Sequence, residues 1–241
     1  MKRFALAAVA VGVALLAGAA AYLVWSLDAR VARAIEEQGT RIAGTKVRVD
    51  SVDIELAKGR GTIRGVRVEN PEGFSSGDAI SLAEIELAID ARSIAEQPFR
   101  VTRVRVGDSV VNFEVTEDGA SNIARITRNV SRGSGDARKE PARGEPKRFA
   151  IGEFAFAGGE IFLERPGAEH PERVHLPDLE LHELGGAGGA TGGEIGEQIA
   201  LAFTRRVIAA TAGHQVGRAV EKELGEAAGD AAETILRHVL E

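Results

Sequence analysis

Cysteine is absent, so disulfides, thiolate metal sites and cysteine nucleophiles are excluded from the start. That leaves histidine and the acids to look to for chemistry. The histidines are His170, His175, His182, His214 and His238, and none sits in His-Glu-x-x-His or another zinc spacing. His175 and His182 fall in an extended segment. On one unbroken strand they would face opposite ways, and Pro177 between them can change that register. We read all five as surface imidazoles. The acids Asp53, Glu55, Glu84 and Glu86 alternate with apolar residues, the pattern of a solvated sheet face, and nothing selects a glycosidase-like pair among them. No Gly-x-Ser-x-Gly elbow is present. The run Gly185 to Gly193 precedes a helix, and a helix N-terminus can bind phosphate. However, the run lacks the Gly-Lys-Ser/Thr of a nucleotide loop. Thr191 and Glu194 fit a capping box better. The sequence therefore assigns no catalytic residue, no metal ligand and no cofactor, and a non-enzymatic protein is expected.

Charge and composition narrow the partners. The formal net charge is -6 and no basic block dominates, so nucleic acid is not expected. Aromatics make up 5%, and the single Trp25 and Tyr22 both lie in an N-terminal apolar segment, so no Trp- or Tyr-lined pocket is expected elsewhere. That segment follows Lys2 and Arg3 and is uncharged from Phe4 to Leu27. A bilayer core takes roughly 20 residues of helix. The basic start and the late aromatic rings predict an inner-membrane, single-pass anchor over 1–28, with a cytoplasmic N-terminus and the bulk of the chain periplasmic. A cleavable signal peptide is the competing reading, with Ala17-Gly18-Ala19 as a small-residue cleavage motif.

After a short helical continuation over 29–38, the period changes from helical to two-residue. Val47 and Val49, then Val52, Ile54 and Leu56, alternate with polar residues, with a slip at Asp50 that suggests a bulge. Further strands are expected through Ile63 to Val68, Ile80 to Ile89, Val101 to Val106 and Val111 to Val115. Turns fall at Lys58 to Gly61 and Asn70 to Gly73. Residues 29–130 are thus a first β-sheet segment. Residues 131–148 have almost no apolar side chain and read as a flexible linker.

Beyond it, Val101, Val104, Val106, Val111 and Phe113 match Ile151, Phe154, Phe156, Ile161 and Leu163 at a constant offset of 50. The two copies read as hairpins of one design, the second lying in 149–184 and followed by a strand through Val174 to Leu181. In 185–241, Ile195, Ile199, Phe203 and Val207 form one helical stripe, and Val216, Val220, Leu224 and Ile235 continue it. The expected fold is mainly β with α: an N-terminal transmembrane helix, a curled antiparallel sheet of repeated hairpins and C-terminal amphipathic helices.

SVDIELAKGRGTIRGVRVENPEGF over 51–74, LPDLELHELG over 176–185 and the Gly-rich turn with its helix resemble the AsmA-like family of bacterial envelope proteins. The resemblance implies an inner-membrane anchor, a periplasmic sheet curled into a groove, and a part in outer-membrane biogenesis or lipid traffic. Its ligand would be phospholipid. The chain is shorter than the large members, so a local or accessory lipid role is the expectation. The candidate apolar groove is Val52, Ile54, Val66, Val68, Ile85, Leu87, Val104, Val106, Phe154 and Phe156. The alternative is a scaffold that binds an envelope protein, or a second copy, through the helix Ile195 to Glu241. Covering of the apolar face by that helix would distinguish the two.

Overall fold

A computed structural model describes residues 27–139 and 147–211. Helix α1 covers 27–43. Strands β1 (Val47–Arg48), β2 (Ser51–Glu55), β3 (Arg60–Glu69), β4 (Asp78–Ile89) and β5 (Phe99–Glu114) follow as an antiparallel run. Helix α2 (Asn122–Lys139) leads to β6 (Phe149–Phe156) and β7 (Gly159–Glu164). Then come β8 (Glu172–Leu176), β9 (Leu179–Leu184) and helix α3 (Gly192–Thr211). All nine strands form a single sheet, and it does not close into a barrel.

The sheet is mixed, which corrects the expected antiparallel stack of hairpins. β5 is one unbroken strand where two were expected, and β6 and β7 both pair with it in parallel. The register runs Phe99 to Phe149, Val104 to Phe154, Val111 to Ile161 and Glu114 to Glu164. Every one of these residues lies beside its own copy 50 positions on. The internal repeat is therefore a strand repeated side by side. A parallel neighbour needs a crossover from one end of the sheet to the other, and α2 supplies it. Residues 131–139, expected in a flexible linker, are the second half of that helix, so the sheet runs through the boundary drawn at 131–148.

The sequence does carry a signal for α2. Ser121 caps it, its hydroxyl accepting from Ala124 N at 3.1 Å. Ile123, Ile126 and Val130 then step by three and four, and all three are buried.

Alternation gives the sheet one apolar face. Phe113, Val111, Ile161, Leu163 and Leu176 are fully buried on it beneath α2 and α3. The helices meet at a buried hydrogen bond between the Thr127 and Thr204 hydroxyls, 2.7 Å long. The opposite face carries cross-strand ion pairs, Arg64 with Glu84 and Arg103 with Glu153. Such pairs set register more than they stabilise.

The expected single-pass anchor is also corrected. No helix among the described residues is long and apolar enough to cross a membrane. α1 carries Asp28, Arg30, Arg33, Glu36, Glu37 and Arg41 within 27–43, and charges at that density are costly in hydrocarbon. The apolar run itself, up to residue 26, lies outside the described residues, as do 212–241, which hold His214, His238 and the second helical stripe.

Candidate functional site

The sheet register places the candidate groove residues. One transverse row runs Ile54, Gly61, Leu87, Val104, Phe154, Leu181 from β2 to β9. The next runs Val52, Ile63, Ile85, Val106, Phe156, Leu179. Eight of the ten candidates fall in these two rows. The remaining two, Val66 and Val68, pair with Leu82 and Ile80 further along the same face. The ten thus share one side of the sheet.

They do not share one environment. Val104, Val106, Phe154 and Phe156 are buried. The Phe156 ring meets Phe203 of α3 edge to face, with centroids 5.3 Å apart. That half of the face is sealed by helices and offers no groove. Val52 and Val66 are also buried. Ile54, Val68, Ile85 and Leu87 are half-buried, as is Ile63 between them.

Among the described residues, the less fully covered stretch of the face therefore lies over β2, β3 and β4. Gly61 sits in its floor. A Cβ there would meet Ile54 Cγ1 and Leu87 Cδ1 at 3.5 Å each, ordinary contact distances. The missing side chain leaves a notch one methyl group wide between two aliphatic side chains and Asp53 O, at a glycine that is itself buried.

Of the helix proposed as a docking element, Ile195 to Glu241, the described part is α3, and one side of it packs on the sheet. Ile195, Thr204, Val207 and Thr211 of α3 are buried against the rest of the molecule. Its start is held by the expected capping box: Thr191 N donates to Glu194 Oε2 at 2.8 Å, and Glu194 N to Thr191 Oγ1 at 3.3 Å. The Gly-rich turn before it packs back on β6, with Phe149 N donating to Ala190 O at 2.8 Å and Ala190 N to Phe149 O at 2.9 Å. Gly185, at φ 82°, has Phe149 O only 2.5 Å from where a Cβ would stand. These glycines serve a tight turn and a close approach.

Polar chemistry is sparse. His175 lies opposite Glu160 and His182 opposite Glu153, both exposed on the polar face. The break at Pro177 brings them to the same side, where an unbroken strand would have separated them. No group of three or more His, Asp or Glu among the described residues could hold a metal ion. Two carboxyls are held below their ordinary range. Glu55 is lowered by a hydrogen bond from Lys58 and then by Arg60, and Asp118 by its bond from Thr116 and then by its own backbone N–H. Both are salt- or turn-bound surface groups, and a lowered carboxyl is not a general acid.

A small cavity of about 150 Å³ opens beside the 70–77 loop, lined by Asn70, Asp78, Asn112, Phe162 and Glu164 among others. Beneath it lies a group the sequence did not single out. Asn122 is fully buried. Its Nδ2 donates to Asn70 Oδ1 and Asn112 O, both at 2.7 Å, while its Oδ1 accepts from Glu114 N at 3.1 Å and Ile123 N at 2.8 Å. It ties the Asn-Pro-Glu-Gly loop to the head of α2.

No family model matches the chain, and no curated protein matches it.

Proposed function

We propose that the protein is a non-enzymatic binding module that takes an apolar chain, the acyl chain of a phospholipid, on the uncovered part of its sheet. The observation that supports this is the half-buried floor of Ile54, Ile63, Ile85 and Leu87 with the Gly61 notch in it. Aliphatic surface left beside a sealed core is a place for an apolar ligand. The resemblance to AsmA-like proteins points the same way, toward local lipid handling. Because Phe154 and Phe156 are covered, the proposed site is limited to β2–β4.

The test is phospholipid retained by the purified full-length protein, compared with Gly61→Val, which fills the notch, and Leu87→Asp, which charges the floor. We expect at least about fivefold less lipid per protein in both variants, a loss of roughly 1 kcal/mol of binding. Equal retention in folded variants would refute the site.

A further inference from the structure

The outer edge of β1 and β2 ends the sheet, and an edge strand presents unpaired N–H groups. Here three of them are taken up by side chains of α1. Ile54 N donates to Asp28 Oδ1 at 3.1 Å, Val49 N to Glu36 Oε1 at 2.9 Å, and Val47 N to Thr40 Oγ1 at 3.0 Å. The acceptors advance along the helix as the donors retreat along the strands, so α1 runs antiparallel to the edge. The lengths agree. From residue 28 to 40 the helix rises about 18 Å. From 47 to 54 a strand spans about 23 Å, shortened here by the kink at Asp50. Close approach is allowed at one end by Gly39, where a Cβ would stand 3.2 Å from the Val47 side chain.

We propose that α1 is a strap that stands in for a missing outer strand and keeps this edge from pairing with a second copy of the chain. A second copy is the partner whose pattern fits. Two β2 strands paired antiparallel with Val52 opposite Ile54 run their apolar rows into one face across a two-fold axis. The same axis sets Asp53 against its own copy, a like-charge pair that resists the pairing. The edge is thus guarded twice, by borrowed acceptors and by charge.

The experiment removes the strap's acceptors in the full-length protein with Asp28→Ala, Glu36→Ala and Thr40→Val together, with and without Asp53→Asn. Amide exchange at Val47, Val49 and Ile54 should quicken by at least roughly tenfold. Sedimentation should show a reversible dimer that Asp53→Asn strengthens. Unchanged exchange would overturn the strap. Faster exchange in a protein that stays monomeric even with Asp53→Asn would overturn the second copy as its competitor. Should the triple variant not fold, Glu36→Ala against Glu36→Gln decides on the strap alone. Gln keeps an oxygen acceptor, so protection of the Val49 amide should survive in Gln and fall in Ala, and equal protection in both overturns it.

Discussion

Asn122 shows what a single buried amide can hold. Its four hydrogen bonds satisfy two backbone N–H groups, one carbonyl and the Asn70 side chain. An isolated hydrogen bond adds little on balance, but an orphaned buried partner costs its full desolvation. Asn122→Ala orphans several at once. We expect a loss of about 3 kcal/mol, read as a lower urea midpoint with unchanged slope. The sequence concealed this residue because an asparagine after a glycine-bearing turn looks like ordinary punctuation. Nothing in its local pattern announces a partner 52 positions away. The capping pair Thr191 and Glu194, by contrast, was legible because both members lie within one turn.

Elements were legible where the hydrophobic period is strong and local. β4 and α3 stand close to where alternation and the four-residue step put them. The offset-50 repeat was visible too, but its meaning was not. Similar sequences at a fixed offset fit two stacked hairpins or one strand laid beside its copy, and only the crossover α2 separates them. α2 escaped because its second half, from Ser131 on, is polar, so the composition of the stretch outweighed Ile123, Ile126 and Val130 before it. The parallel pairing makes its own prediction. A Cβ on Gly159 would stand 2.5 Å from Ser109 O and 2.1 Å from Ser109 Oγ. Ser109 is buried, its hydroxyl donating to Gly158 O at 2.7 Å. Backbone cannot yield there without parting β5 from β7. Gly159→Ala should cost about 2 kcal/mol, the usual toll of overpacking, measured by denaturant unfolding. No change in stability would mean that the strands lie further apart.

At the scale of the molecule, the apolar face is divided between two duties. Helices α2 and α3 cover the β5–β9 side and make it a core, while the β2–β4 side is left half-covered. The sequence showed an apolar face but not this division, because covering depends on where α2 crosses and that is set by the parallel pairing. The division predicts unequal costs for equal chemistry along one pair of rows. Phe156 is 3% exposed and meets Phe203 edge to face. Truncating it to Ala removes a buried ring and leaves a cavity, for about 3–5 kcal/mol. Leu87 sits one row away on β4 and is only partly buried, at the margin of the core. The free energy gained by burying a side chain scales with the area taken from water, so Leu87→Ala should cost only about 1 kcal/mol. Guanidinium unfolding of the two variants checks the contrast. If Leu87→Ala proves as costly as Phe156→Ala, Leu87 belongs to the sealed core and the face has no vacant side. If the small cost holds, the aliphatic floor of β2–β4 contributes little to folding, as the proposed binding of an apolar chain requires.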